Sequence, residues 1–143
     1  MLLPITLTLA AAAALLNIWL AMRIVRLRMA NKVLHSDGGC EPLVRRMRAQ
    51  ANYVEYTPFI LILFALVEMA LGSHLWLWIA ALVYVVARVL HAFGMDSEKP
   101  AKTRMVGIIA TWIVMLILSG AALYAAYGAT HRVEAPPALA AQV

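Results

Sequence analysis

The sequence predicts an all-α membrane protein, a four-transmembrane-helix bundle with up-down topology. Of its 143 residues, 64% are hydrophobic and only 13% are charged, a composition unlike that of a soluble domain. Residues 1–22 and 105–131 contain no Asp, Glu, Lys or Arg, and residues 57–86 contain only Glu68. A helix needs about 20 apolar residues to cross the hydrocarbon core of a bilayer. The two outer segments each fit one crossing, and the middle segment fits two with a Gly-Ser turn between them.

Helix one is expected over residues 3–28. Its apolar character is shared with cleavable signal peptides, but no basic residue precedes the apolar run, which is also longer than is usual for such a peptide. The basic residues follow the run instead. We therefore expect a retained transmembrane helix, whose alanine-rich first half allows close helix packing.

Helix two is expected over residues 41–71, after an Asp-Gly-Gly turn and with Pro42 in its first turn. At about 1.5 Å per residue, a helix of this length exceeds the thickness of the hydrocarbon core. Its first turns are therefore expected in the cytoplasm or among the lipid headgroups. Pro58 lies inside this helix and predicts a kink.

Helix three is expected over residues 73–94 and helix four over residues 104–127, joined by a polar loop that contains a proline. The sequence shows no internal repeat and no second domain. We expect one four-helix domain over residues 1–131, followed by a disordered tail over residues 132–143, which is rich in small residues and proline.

The basic residues predict the orientation in the membrane. All twelve Lys and Arg residues except Arg132 lie beside the first and third connections between helices. The positive-inside rule places those connections in the cytoplasm and both termini on the outer side, which is the periplasm if the membrane is a bacterial inner membrane. For Arg23, Lys32 and Arg45 we expect a role in this topology and contact with lipid headgroups.

Several classes of function are disfavoured by the sequence. No basic stretch is interleaved with aromatic residues in a soluble module, so a nucleic-acid partner is not expected. The one cysteine, Cys40, cannot form a disulfide within the chain, and no His/Cys cluster has the spacing of a metal site. We therefore expect no metal. A small transporter is also disfavoured, since the sequence shows no inverted repeat and no pair of broken helices.

Polar residues are concentrated at the start of helix two. Spacings of four, three and four place four side chains on one helical face: Arg48, Asn52, Glu55 and Phe59. Tyr56 flanks this face, whereas Gln50 points away from it and is expected to contact a neighbouring helix or chain. An ionised Glu55 at the edge of the hydrocarbon needs a partner or a wet cavity. Arg48 and Arg88 are the candidate partners.

Two interpretations of this polar face are open. Polar side chains on membrane helices often serve only to join helices or subunits. A cluster that combines both charges with amides and phenols also suits a zwitterionic, peptide-like ligand, and intramembrane ionisable groups are functional candidates by default.

The stretch RAQANYVEYTPF, residues 48–59, resembles the helix-two signature of the membrane-associated proteins in eicosanoid and glutathione metabolism, the MAPEG family. The stretches RIVRLR, SDGG, ARVLHAFG and RMVG are similar to bacterial members. The resemblance implies a homotrimer of four-helix bundles in contact with membrane lipids. It also implies glutathione as co-substrate, bound between subunits near the cytoplasmic face, and a hydrophobic small-molecule co-substrate that arrives from the bilayer.

The resemblance also implies roles for individual residues. The expected glutathione contacts are Arg28 (or Arg26), Arg48, Gln50, Asn52, Glu55, Tyr56, Arg88 and His91. The expected catalytic residue is Arg104, which would stabilise the glutathione thiolate; with a shorter preceding loop Lys102 would take that position. A free thiol has a pKa of about 8.5, so a fixed cation is needed to favour the thiolate at neutral pH.

His91 and Met95 stand where leukotriene synthase has two tyrosines that face glutathione. Methionine cannot donate a hydrogen bond, whereas a neutral His91 can act as donor or base; His91 is alternatively a helix-end residue at the headgroup level. The expected function is a glutathione transferase or peroxidase. The alternative is a non-catalytic lipid- or glutathione-binding protein of the same fold.

Overall fold

A computed structural model of the protein describes residues 2–134 and confirms the four-helix bundle. The helices are α1 (Pro4–Asn31), α2 (Glu41–Leu71), α3 (Leu75–Asp96) and α4 (Lys102–Glu134). Each of them is long and apolar enough to cross a membrane. The short connections between consecutive helices give the up-down order that the sequence predicts.

The ends of three helices differ from the expected positions, and α3 lies two residues later than expected at both ends. α1 continues to Asn31 and ends where Lys32 adopts a left-handed conformation with φ of 55°. α4 reaches Glu134, so residues 132–134 are helical where the sequence predicted a disordered tail. No proline interrupts the sequence of α4 before Pro136, so nothing local stops the helix earlier. The rest of the predicted tail, residues 135–143, lies outside the described residues.

α2 and α3 form the centre of the bundle. Each of them packs against the other three helices, whereas α1 and α4, over the part that the structure describes, do not touch and occupy opposite corners. The core between them contains fully buried side chains from all four helices: Ile5, Ile60, Phe64, Leu77 and Leu118. The outward faces are apolar and exposed, as expected for surfaces that meet lipid or another subunit.

Two glycines bring the end of α3 against the start of α4. A Cβ atom on Gly107 would lie 2.5 Å from the carbonyl oxygen of Ala87 and 2.8 Å from the backbone nitrogen of His91. A Cβ atom on Gly94 would overlap the backbone of Arg104. The two helices therefore approach backbone to backbone at this end, and this contact fixes the first turn of α4 beside α3.

Glu68 completes the first turn of α1 from a different helix. It is 1% exposed, and its carboxylate accepts hydrogen bonds from the backbone nitrogens of Ile5 and Thr6 at 3.0 and 2.8 Å. The hydroxyls of Thr6 and Ser73 each donate a further bond at 2.7 Å. The first backbone N–H groups of a helix lack partners within the helix, and a carboxylate satisfies them well.

At the opposite end, Arg23 is buried instead of lying among headgroups, so that expectation is wrong. Its guanidinium forms an ion pair with Asp96 at the end of α3 and lies 4.7 Å from the centre of the Trp19 ring. Arg46 on α2 also pairs with Asp96, at 3.4 Å. Asp96 therefore connects α1, α2 and α3. A buried arginine needs a charged partner, and Asp96 is that partner for Arg23.

Candidate functional site

A polar cleft of about 100 Å³ lies where α2, α3 and α4 meet, at the end that the charge pattern assigns to the cytoplasm. Five of the nine site residues predicted from the sequence line it: Arg48, Asn52, Glu55, His91 and Arg104. Ala51 and Met95 complete the lining. Residues separated by as many as 56 positions in the chain (Arg48 and Arg104) thus converge on one space.

The polar face of α2 forms one wall of the cleft. Helical spacing brings Arg48, Asn52 and Glu55 to this wall, with the two charged side chains exposed and Asn52 half-buried. Within residues 2–134, neither Arg48 nor Arg88 forms an ion pair with Glu55. The carboxylate of Glu55 is therefore available at the edge of the cleft, among cations that a ligand can also reach.

Arg88 lies behind this wall instead of lining the cleft. It is 2% exposed, and its Nη2 donates a hydrogen bond to Oδ1 of Asn52 at 2.8 Å. Its Nη1 lies 3.5 Å from the hydroxyl of Thr111, and its guanidinium is 5.7 Å from the centre of the Tyr53 ring. With its carbonyl oxygen engaged by Arg88, the side-chain amide of Asn52 is oriented so that its NH₂ group remains for a ligand.

His91 lies on α3 and forms part of the second wall. The side chain is 4% exposed, and its Nδ1 lies 3.2 Å from the backbone carbonyl oxygen of Arg104. This bond joins the last turns of α3 to the first turn of α4. No partner for its Nε2 is present in the described part of the chain.

Arg104 projects from the first turn of α4, the third wall. The turn begins with a hydrogen bond from the Arg104 nitrogen to the Ala101 carbonyl oxygen at 3.1 Å. Arg104 lines the cleft and is exposed, whereas Lys102 is also exposed but does not line it. Of the two cations that the sequence left as alternatives, the geometry favours Arg104.

Three predicted contacts lie elsewhere in the subunit. Arg28 lines a separate groove of about 480 Å³ at the end of α1, where it donates to the carbonyl oxygen of Leu34 at 3.3 Å. Gln50 donates to Oδ1 of Asn17 on α1 at 3.2 Å, so it does contact a neighbouring helix. Tyr56 is half-buried and outside the lining of the cleft.

The sequence interpretation missed Thr111, which supports Arg88 from α4. Its hydroxyl donates to the carbonyl oxygen of Gly107 at 2.8 Å. Arg104, Gly107 and Thr111 follow one another at spacings of three and four, which places them on one face of α4. That spacing was the available signal, although a single hydroxyl in an apolar helix is weak evidence by itself.

A metal site is not apparent in residues 2–134, where no group of three or more His, Cys, Asp or Glu residues is arranged to hold an ion. The cleft instead contains two guanidinium groups, one carboxylate, an amide and an imidazole. These groups suit a ligand with carboxylates, amides and a protonated amine, because each has a complementary partner on the walls.

Comparisons with known proteins identify the family of this chain. The MAPEG family model matches residues 6–124, a range that includes all of α2 and α3 and most of α1 and α4. The inner membrane protein YecN of Escherichia coli strain K12 is 33% identical over 110 residues, which cover 76% of this chain and 82% of YecN. YecN of Escherichia coli O6:H1 matches with the same identity and coverage. The chain therefore belongs to the MAPEG family.

Proposed function

We propose that this protein is an integral membrane glutathione transferase with glutathione peroxidase capacity. The observation that carries the proposal is the cleft itself: Arg48, Asn52 and Glu55 on α2 and Arg104 on α4 line one space, at the end that the charge pattern assigns to the cytoplasm. The MAPEG family includes glutathione transferases, and YecN, by its name, lies in the inner membrane. We place this chain in the same membrane.

The proposed binding site lies between subunits of a homotrimer. The cleft in one subunit measures about 100 Å³, whereas pockets for small molecules usually enclose about 300–1,000 Å³. One subunit therefore supplies only part of a site for a tripeptide. The groove at Arg28 is the second part: in the trimer, Arg28 of a neighbouring subunit would bind a carboxylate of the glutathione held by Arg48, Asn52 and Glu55.

Arg104 would prepare the nucleophile. A guanidinium group can donate hydrogen bonds to a sulfur anion, so it would lower the free energy of the thiolate relative to the thiol. With an aryl halide, the thiolate forms a carbon–sulfur bond and halide leaves. With a hydroperoxide, the thiolate takes the terminal oxygen and alkoxide leaves, and a second glutathione then yields the disulfide and water.

The hydrophobic co-substrate would reach the thiolate from the bilayer. Phe59 lies one turn below Glu55 on the same face of α2 and is 64% exposed. Apolar side chains on α4, such as Met105 and Ile109, are also exposed near the same end. The cleft therefore adjoins an apolar surface on its membrane side, which suits a lipid-soluble electrophile or a lipid hydroperoxide.

Thiolate formation tests the proposal directly. With protein purified in detergent at neutral pH, glutathione is expected to produce the far-ultraviolet absorbance of a thiolate, and a generic aryl halide to be conjugated. Arg104→Ala should abolish the thiolate signal and reduce turnover at least about 100-fold, the usual effect of losing a donor to a developing anion. Lys102→Ala is the matched control and should behave as wild type, since Lys102 does not line the cleft.

The alternative is a non-catalytic binding protein, which is favoured by Met95 in the lining of the cleft, where it cannot donate a hydrogen bond. Under that alternative the wild type binds glutathione without producing a thiolate. Absence of glutathione binding would contradict both the transferase and a glutathione-binding protein, and would leave lipid binding as the remaining role.

A further inference from the structure

His91 carries a buried nitrogen whose chemical state the structure defines. The carbonyl oxygen of Arg104, 3.2 Å from Nδ1, can only accept a hydrogen bond. Nδ1 must therefore carry the ring hydrogen, and Nε2 of the neutral ring has a lone pair and no hydrogen. No donor among the described residues reaches this Nε2. The sequence left His91 as donor or base, and the geometry makes Nε2 of the neutral ring an acceptor.

A buried acceptor without a donor is unfavourable, because it has lost its hydrogen bond to water and gained none in the protein. His91 lines the cleft, so a ligand that enters there and reaches Nε2 can supply the missing hydrogen. Glutathione offers an S–H group. In the proposed binding mode its carboxylates meet Arg48 and the partner subunit's Arg28, its amine meets Glu55, and an amide carbonyl accepts from Asn52. The thiol of the ligand still lacks a proton acceptor on these walls.

We propose that Nε2 of His91 is the base that removes the proton from the thiol; this role rests on the function proposed above. The S–H bond breaks, an N–H bond forms at Nε2, and the electron pair stays on sulfur beside the guanidinium of Arg104. The imidazolium then releases its proton to water or to the alkoxide that leaves a hydroperoxide. Thus Arg104 stabilises the anion and His91 takes the proton.

The charges around the ring support these separate roles for Arg104 and His91. Arg48 and Glu55 face the cleft from α2, Arg104 faces it from α4, and Arg88 precedes His91 by one turn of α3. Three cations and one carboxylate favour a neutral ring before the ligand binds, and only a neutral ring can act as a base. The thiolate formed in the reaction then offsets the new positive charge.

Two amide variants separate a base from a structural residue. His91→Asn keeps a nitrogen near the position of Nδ1, which can still donate to the carbonyl of Arg104, but has no group at Nε2. His91→Gln places an amide near Nε2 and loses the donor at Nδ1. Neither variant has a group that can act as a base. The hydrogen bond to the carbonyl of Arg104, which is the structural role of His91, is preserved only in His91→Asn.

The measurement is the rate of thiolate formation after rapid mixing of the full-length protein with glutathione, alongside the Kd from calorimetry. In both variants the rate at neutral pH should fall at least about 100-fold, the lower end of a general-base contribution, with a much smaller change in Kd. The wild-type rate should level off above the pH at which the imidazole is neutral, and the variant rates should keep rising with hydroxide concentration.

A wild-type rate in His91→Asn would overturn the role of His91, and it would leave the proposed function intact because thiolate still forms. A slow rate of thiolate formation in His91→Gln alone would also overturn the role of His91 as a base. It would show that the rate depends only on the hydrogen bond to the carbonyl of Arg104. No thiolate in the wild type itself would instead overturn the proposed function, and the role of His91 with it.

Discussion

Single side chains complete hydrogen bonds that begin on another helix. Glu68 of α2 accepts the free N–H groups of α1, and Arg88 of α3 holds Asn52 of α2. Both are almost fully buried at positions where an unpaired charge is costly. Glu68 and Arg88 therefore stabilise the fold only when their hydrogen-bond partners are present.

Replacement of Glu68 should destabilise the bundle. In Glu68→Gln, one carboxylate oxygen becomes an NH₂ group that faces backbone N–H donors, so at least one buried N–H loses its acceptor. We expect the free energy of unfolding to fall by about 2–3 kcal/mol, measured by denaturation in detergent. Glu98→Gln is the matched control, because the side chain of Glu98 is 86% exposed and its ion pair with Arg45 spans 3.9 Å. Equal stability of the two variants would contradict the role of Glu68 as a cap.

The residues of the cleft were more predictable than these partners. The positions of Arg48, Asn52 and Glu55 follow from spacing along a single helix, and the sequence displays that spacing directly. The partners of Arg23 and Glu68 lie on other helices, and a single sequence does not specify how two helices are rotated relative to each other. For that reason Arg23 was expected among headgroups, and the cap on α1 was not anticipated.

At the scale of helices, the contact of α3 with α4 holds Arg104 and His91 beside each other. The first turn of α4 lies against α3 because Gly94 and Gly107 have no side chain, and the same contact brings the carbonyl of Arg104 to His91. The spacing of the apolar residues predicted both helices. It did not reveal their close approach, since isolated glycines in membrane helices have several uses.

Gly107→Ala should separate these helices. Its methyl group would lie against backbone atoms of Ala87 and His91, which cannot move aside as a flexible side chain can. We expect a loss of about 1–3 kcal/mol in the free energy of unfolding and a weaker thiolate signal, because Arg104 is displaced.

Gly120→Ala supplies the control within the same helix. Nothing lies within 4 Å of the position of its Cβ atom, so this variant should be neutral or up to about 1 kcal/mol more stable. If both variants retained wild-type stability and thiolate signal, the close contact would not matter for the site.

At the scale of the whole molecule, four apolar helices and an asymmetric distribution of charge determine how the protein sits in a membrane. Single-subunit packing leaves many apolar side chains on the outside, such as Leu116 and Leu123, each 72% exposed. The length of the apolar segments was sufficient to predict the number of helices. The number of subunits does not follow from composition, so the trimer remains a prediction.

Labelling of the single cysteine tests the orientation. Cys40 lies between α1 and α2, on the side assigned to the cytoplasm. A membrane-impermeant maleimide should therefore modify it in inverted vesicles and not in intact spheroplasts. A protein carrying Cys40→Ser and His74→Cys should show the reverse pattern, since the exposed His74 lies at the turn between α2 and α3. Labelling of Cys40 in spheroplasts would mean that the charge pattern had been misinterpreted.

The cap on α1 has a consequence for biosynthesis. Glu68 lies 63 positions after Ile5, so the ribosome has produced two hydrophobic segments before the amino end of the first can be completed. Until then, these N–H groups lack their protein acceptor and depend on water. We therefore expect the amino end of α1 to become protected from water only after α2 has been inserted beside it.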